Sequence, residues 1–153
     1  MPNLSVAAAS AAGTAWCAAW SQAHPSAWTA LYTVDATYTD HAFGFIRRGH
    51  AGLAEHFALW HSANPDFRAT VIQAFPGLDL GGGLVKYSLP TLNEGTFRAD
   101  LPTLQASGRD FKFDAVVDLV VRERDGLIVG VVEFYHRQLI GGVLWSGMRR
   151  SCS

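Results

Sequence analysis

The hydrophobic period of this chain changes once, and that change constrains the fold more than any other feature. Before about residue 64, apolar side chains recur at helical spacing, as Trp16 and Trp20 do. After Asn64-Pro65, apolar and polar residues alternate as in strands, with turn sequences such as Asp125-Gly126 between the runs. Helices followed by consecutive strands favour an α+β fold, with an antiparallel sheet curled over three N-terminal helices.

The expected helices run from Val6 to Gln22, over a short stripe after His24-Pro25, and from near Gly49 to Asn64. The expected strands are Thr37 to Phe43, Phe67 to Phe75, Gly83 to Leu92, Phe97 to Leu104, Asp110 to Arg122 and Leu127 to Leu139.

Length and composition limit the class of protein. A chain of 153 residues predicts a single domain, 1–153, that needs no metal or disulfide for stability. The net charge of −1 argues against nucleic acid as a partner, whereas 49% hydrophobic residues leave apolar surface for a ligand cavity, a homodimer interface or both. Cys17 and Cys152 match no metal or disulfide pattern, and no His pair has ligand spacing, so neither metal nor cofactor is expected.

The Ala-rich start of the chain could pass for a signal peptide. No Lys or Arg precedes it and its Trp residues recur at helical spacing, so we interpret it as a helix of a cytoplasmic protein that does not enter a membrane.

Two acids stand in apolar surroundings. Asp40 ends the alternating run Thr37-Tyr38-Thr39-Asp40, and Asp118 lies within the strand pattern FDAVVDLVV. An ionised carboxylate there would lose much of its hydration, so it must be paired, protonated or functional.

The last hairpin predicts which side chains share a face. A three-residue loop ending at Gly126 sets Asp118 opposite Val132, whereas a two-residue loop would set it opposite Glu133, a like-charge pair. The favoured register predicts one pocket wall containing Asp114, Asp118, Val132, Phe134 and His136.

The sequence also resembles a known family. The element order, the segment DATYTD before the third helix and DGLIVG in the last hairpin resemble the nuclear-transport-factor-2-like superfamily, and within it the SnoaL-like polyketide cyclases and ketosteroid isomerases. The resemblance extends from about Ala15 to Gln138. It implies a cone-shaped, strongly curved sheet around the helices, with a deep apolar pocket used for cofactor-free acid/base chemistry.

The resemblance assigns roles to individual positions. Asp40 falls on the general base of the ketosteroid isomerases, and Asp118 falls on their protonated oxyanion-hole acid. An oxyanion-hole Tyr of that family falls on Trp16, a weaker donor. A competing overlay on limonene-epoxide-hydrolase-like proteins matches Arg98-Ala99-Asp100, but their second catalytic Asp falls on His136.

The sequence therefore predicts a cofactor-independent isomerase or cyclase that acts on a hydrophobic, polycyclic natural-product intermediate from polyketide, terpenoid or alkaloid biosynthesis. Asp40 is the expected base, Asp118 the acid and His136 an assisting group, with Asp100 and Asp114 as competitors. Expected substrate contacts are Tyr38, Arg47, His56, Trp16, Arg98 and Phe134. Epoxide hydrolysis or dehydration is one alternative, and a non-catalytic ligand-binding or dimerisation module is the other.

Overall fold

The computed structural model describes residues 2–140. The helices are α1 (Val6–Trp20), α2 (Ser26–Thr29) and α3 (Gly49–Ala63). The strands are β1 (Tyr32–Asp40), β2 (Phe45–Arg48), β3 (Arg68–Val71), β4 (Leu78–Gly81), β5 (Leu84–Thr96), β6 (Asp110–Arg122) and β7 (Leu127–Phe134). A 3-10 turn follows at Arg137–Leu139.

The strands form one mixed sheet in the order β2-β1-β7-β6-β5-β3, with β4 pairing on β5. All pairs are antiparallel except β1 with β7, which are parallel. The parallel pair arises because the chain leaves β1, crosses through α3 and the rest of the sheet, and returns beside β1. The predicted α+β fold is confirmed.

The long strands have one inner and one outer face. Along β6, every odd-numbered side chain from Phe111 to Val121 is apolar and buried, whereas the even-numbered ones include Asp114 and Asp118 and are exposed or half-buried. Because side chains alternate across a strand, the odd-numbered set faces the helices and the even-numbered set faces away.

The helices cover the inner face with a cluster of aromatic rings. Trp20 at the end of α1 stacks on Trp28 of α2, with 4.4 Å between ring centroids, and on His56 of α3 at 5.5 Å. Trp16, Phe57 and Phe67 complete this buried group. No helix among residues 2–140 is long and apolar enough to span a bilayer.

The predicted strand from Phe97 to Leu104 is wrong. Only an isolated bridge joins Leu101 to Leu104, because Pro102 between them has no N–H for a ladder. Instead β5 continues through Gly95, which lies in the gap between two predicted strands. A Cβ at Gly95 would lie 2.9 Å from the ring of Phe111, so glycine serves close packing at this position.

Other element boundaries also differ from the predictions. The first strand begins earlier, at Tyr32, and ends at Asp40, because residues 41–44 form the turn into β2, which was not predicted. Strand β7 ends at Phe134 rather than Leu139, where the chain turns into the 3-10 segment. Strand β4 was missed, whereas β6 has the predicted bounds.

Candidate active site

Asp40 is the last residue of β1, and it is 1% exposed. Its Oδ1 accepts a hydrogen bond from the Phe43 N–H at 3.0 Å, and its Oδ2 accepts one from the Tyr135 hydroxyl at 3.0 Å. Burial raises the pKa of Asp40, and these hydrogen bonds oppose that rise because they favour the ionised form. Asp40 is therefore a desolvated carboxylate that retains donors for its negative charge.

Glu133 is the second buried acid of this site. It occupies the position on β7 that faces Asp40 on β1, and the Tyr38 hydroxyl donates a hydrogen bond to its Oε2. Burial, followed by the nearby charge of Asp40, raises the pKa of Glu133 from 4.5 to about 8. Glu133 therefore holds its proton at neutral pH.

A cavity of about 230 Å³ opens beside Asp40. Its walls are mainly apolar and include Phe43, Phe45 and Trp60. A second space of about 10 Å³, roughly the size that one water needs, is also lined by Asp40 and His56 and reaches Glu133 and Tyr135. Asp40 thus contacts the cavity directly, whereas Glu133 stands behind it.

His56 of α3 borders both spaces and is 3% exposed. Burial, together with the positive charge of Arg47, lowers the pKa of His56 from 6.5 to about 3. Its Nδ1 has no hydrogen-bond partner among the described residues. The ring is therefore a neutral imidazole with unused hydrogen-bonding capacity beside Asp40.

Arg47 of β2 also lines the cavity. Its guanidinium carbon lies 4.8 Å from the centre of the Phe45 ring, and its Nη1 lies 3.6 Å from Oε2 of Glu55. The Arg47 Nε is buried and has no partner within residues 2–140. One cation and one carboxylate, Asp40, therefore border the same apolar cavity.

The predicted pairing of Asp118 with Val132 is confirmed, but the three-residue loop from which it was derived and the predicted pocket wall are wrong. Arg122 pairs with Leu127, so residues 123–126 form the loop, and a register shift between Val120 and Val121 restores the predicted pairing. Asp118 does lie opposite Val132, and Val116 lies opposite Phe134. This row occupies the outer face of the sheet, so Asp118 does not share a pocket with Asp40. Its Oδ2 pairs with the Lys86 ammonium at 3.4 Å, which accounts for a carboxylate among apolar neighbours.

The other predicted acids and His136 also lie apart from the cavity. Asp114 is exposed on the outer face of β6, and His136 is exposed beyond the end of β7. Asp100 is exposed and accepts a hydrogen bond from the Ala106 N–H at 2.7 Å, which makes it a loop-stabilising residue. The structure therefore brings none of these groups to Asp40.

The predicted substrate contacts divide into two groups. Arg47 and His56 line the cavity. Tyr38 is buried against Glu133, and Trp16 donates its Nε1–H to the Tyr32 hydroxyl at 2.7 Å within the core. Arg98 and Phe134 are exposed, so neither contributes to the cavity wall.

Sequence analysis did not assign a role to Glu133, although the signal was present. In β6 the residues Asp110, Lys112, Asp114 and Asp118 all fall on even positions, which marks the even face as the polar, outer one. The predicted register places Val117, an odd position, opposite Glu133. The same pairing that was used for Asp118 would thus have turned Glu133 inward.

No group of three or more His, Cys, Asp or Glu side chains within residues 2–140 is arranged to hold a metal ion.

The α+β fold, with N-terminal helices packed on a mostly antiparallel sheet, is shared with solved proteins described as ketosteroid isomerase-like. The chain belongs to the family of SnoaL-like domains, whose model matches residues 14–131. No curated protein matches the sequence.

Similar solved structures support the fold assignment. A protein from Catenulispora acidiphila with a ketosteroid isomerase-like fold, solved with trimethylamine, is 23% identical over 82% of this chain and 85% of its own, with a TM-score of 0.61. A candidate polyketide cyclase from Pseudomonas putida is 18% identical over 91% and 95%, with a TM-score of 0.61. A ketosteroid isomerase-like protein from Erwinia carotovora is 17% identical over 84% and 93%, with a TM-score of 0.64.

Proposed function

We propose that the protein is a cofactor-independent isomerase or cyclase that transfers a proton to and from carbon in a hydrophobic carbonyl compound. The observation that carries the proposal is a buried pair of acids, Asp40 and Glu133, of which only Asp40 borders an apolar cavity. A desolvated carboxylate that remains ionised is a stronger base than one in water.

In this proposal Asp40 removes the proton from the carbon next to the substrate carbonyl. The electron pair of that C–H bond forms a carbon–carbon double bond, and the π pair of the carbonyl moves onto its oxygen, giving an enolate. Protonated Asp40 then returns the proton to a different carbon while the carbonyl re-forms, which completes an isomerisation. In a cyclisation the enolate carbon instead attacks a second carbonyl in the same molecule, the first carbonyl re-forms, and protonated Asp40 gives its proton to the new alkoxide oxygen. A positioned base of this kind contributes about 10²–10⁴-fold to the rate.

His56 is the proposed donor to the enolate oxygen. Its neutral ring borders the cavity beside Asp40, and its buried Nδ1 has no hydrogen-bond partner among the described residues. A neutral imidazole can stabilise an oxyanion through its N–H, and a preorganised donor in a dry site contributes about 3–4 kcal/mol.

Glu133 is a positioning residue in this scheme because it reaches the substrate only through Asp40. Holding its proton at neutral pH, Glu133 leaves the single negative charge of the pair on the acid that borders the cavity. Asp118, which was expected to be the acid, has no part in this scheme, because His56 is the proposed donor to the substrate oxygen.

The test uses two probes of carbon-proton removal. The first is 5-nitrobenzisoxazole, which a desolvated carboxylate opens to a coloured phenolate; the second is an apolar cyclic β,γ-unsaturated ketone, whose conjugation is followed by ultraviolet absorbance. Asp40→Asn should lower turnover of either probe by at least about a hundredfold. Asp118→Asn is the matched control and should retain wild-type turnover because it lies on the outer face.

Equal turnover by the wild-type protein and Asp40→Asn would remove Asp40 from the mechanism. Binding of the ketone without turnover by the wild-type protein would favour a non-catalytic ligand-binding module instead.

We also propose that a second copy of the chain covers the outer face of the sheet. The exposed apolar side chains Val116 and Phe134 are cross-strand partners there, at 41% and 44% exposure, and Ile46 on β2 is 53% exposed. A cluster of apolar side chains on a sheet face is typical of an association surface.

A further inference from the structure

We infer that the substrate is a compound of one or two rings that carries a carboxylate or another anionic oxygen, which Arg47 binds at the wall of the cavity while Asp40 faces the reacting carbon. This inference rests on the proposed function, because it takes the cavity beside Asp40 as the active site.

The size of the cavity limits the size of the substrate. The cavity holds about 230 Å³. An apolar cavity of about 150 Å³ encloses a benzene molecule, and sites for drug-sized ligands run from about 300 Å³ upwards. The space beside Asp40 therefore encloses one ring with substituents or two fused rings. The polycyclic substrate predicted from the sequence, if it had four rings, would leave much of its surface outside this cavity.

The shape and chemistry of the walls favour a flat ring. Phe43, Phe45 and Trp60 line the cavity together with the aliphatic side chains of Leu59 and Leu101. Aromatic side chains bind planar rings by stacked and edge-to-face contacts. These walls therefore favour a ligand with a flat, largely apolar ring system.

The charge of Arg47 favours an anionic group on the substrate. The Arg47 side chain is only 26% exposed, yet its Nε has no partner among the described residues. Its nearest acid, Glu55, is 70% exposed and 3.6 Å away, so this pair contributes little. A mostly buried guanidinium whose Nε–H is unpaired among the described residues is matched by an anionic oxygen, and best by a planar carboxylate, which can accept parallel hydrogen bonds from Nε and a terminal nitrogen.

The strand register separates this cation from the base. In the β1–β2 ladder, Asp40 pairs with Phe45, whereas Arg47 pairs with Tyr38. The backbone positions of Phe45 and Arg47 are two residues apart along β2, or about 7 Å. A ring scaffold with an anionic group at one end can therefore contact Arg47 while presenting a C–H group to Asp40.

The test measures binding and requires no turnover. Titration calorimetry would compare 2-naphthoate with 2-naphthamide, which has the same shape and no charge, and with pyrene-1-carboxylate, which has four rings. Naphthoate should bind the wild-type protein at least about tenfold more tightly than the amide, and more tightly than the pyrene acid.

Variants assign the preference to Arg47. Arg47→Met keeps the length of the apolar stem and should abolish the preference for naphthoate over naphthamide. Arg48→Met, at the adjacent exposed position, is the matched control and should retain it. Asp40→Asn should bind naphthoate more tightly than the wild type because it removes a negative charge from the cavity wall.

Equal affinity of the acid and the amide for the wild-type protein would overturn the inference, as would an unchanged preference in Arg47→Met. Pyrene-1-carboxylate binding as tightly as naphthoate would overturn the size limit. If Arg47→Met does not fold, the acid and amide comparison on the wild type decides alone. A preference for naphthoate without turnover of the proton-transfer probes would reject the proposed function but leave the anion site at Arg47 supported. Turnover without that preference would support the proposed function and reject the anion site.

Discussion

Asp40 and Glu133 face each other on the two parallel strands of the sheet, β1 and β7, and both are buried. The two acids differ in their partners. Asp40 accepts hydrogen bonds from a backbone N–H and from the Tyr135 hydroxyl, whereas Glu133 accepts one from the Tyr38 hydroxyl. Burial raises the pKa of both acids, and the hydrogen bonds oppose that rise more strongly at Asp40 because each donated hydrogen bond favours the ionised form of its acceptor.

The first prediction concerns stability and pH. The pKa of Glu133 is raised from 4.5 to about 8, so the folded protein holds a proton that the unfolded chain loses, and stability falls as pH rises from about 4.5 to 8. The pKa of His56 is lowered from 6.5 to about 3, so stability falls as pH drops from about 6.5 to 3. These two groups therefore predict that stability is highest between about pH 4.5 and 6.5. Urea unfolding measured from about pH 3 to 8 would detect the fall on either side.

The second prediction isolates the contribution of Glu133. Glu133→Gln has the same shape and no ionisation, so its stability should fall much less between pH 6.5 and 8 than that of the wild type. Glu94→Gln, at a partly exposed position paired with Lys112, is the control and should follow the wild-type curve. Parallel curves for the wild type and Glu133→Gln would mean that Glu133 titrates normally.

The third prediction concerns the hydrogen bond from Tyr135 to Asp40. Tyr135→Phe removes a donor that favours ionised Asp40, so the pKa of Asp40 should rise further. The acid limb of the kcat/KM profile for 5-nitrobenzisoxazole should move to higher pH. Tyr87→Phe, which removes a hydroxyl bonded to the Asn3 carbonyl far from Asp40, should leave the profile in place. An unshifted acid limb in Tyr135→Phe would contradict the proposed role of this hydrogen bond.

The fourth prediction concerns the aromatic cluster under the sheet. Trp20 is 2% exposed and stacks on Trp28 and His56. Trp20→Ala should lower the free energy of unfolding by about 3–5 kcal/mol, because large buried side chains leave cavities when truncated. Ile72→Ala, at a position 52% exposed, should change it by less than about 1 kcal/mol. Chemical denaturation of both variants provides the comparison.

The fifth prediction concerns assembly. If two copies associate through the outer sheet face, Phe134→Lys should shift the sedimentation coefficient from that of a dimer towards that of a monomer, because it places a charge in an apolar contact. Leu80→Lys, on β4 and equally exposed to solvent, should leave the dimer intact. A monomeric wild-type protein at micromolar concentration would reject the proposal.

The sequence predicted the architecture because the period of its apolar residues is strong. The alternation along β6 determined both bounds of that strand, and Asp125-Gly126 located its hairpin. Residues whose conformation depends on distant packing were harder to predict. Gly95 is locally typical of a turn, but it lies within β5. The ring of Phe111 on the neighbouring strand approaches so closely that only glycine fits there.

The candidate site was predicted in part, for a related reason. Asp40, Arg47 and His56 were all named from the sequence, and all three border the cavity. Glu133, the partner acid, was not named from the sequence. Asp118 and Glu133 occupy strands of similar apolar composition, and they differ only in the face of the sheet on which they lie. Face is a property of the whole strand, so neither acid could be assigned from its immediate neighbours.

The register shift between β6 and β7 has a consequence for protein engineering. Val121 pairs with Ile128 and Val120 pairs with Gly130, so Val129 is an additional residue that bends the strand. Without this bulge, continuation of the register near the turn would match Glu133 to Val116 and turn its carboxyl to the outer face. A single-residue insertion between Gly130 and Glu133 would likewise move Glu133 to the outer face. An aliphatic residue of the same strand would then occupy the buried position beside Asp40. The chemistry of this pocket can thus be switched by changing the length of the strand while every side chain is kept.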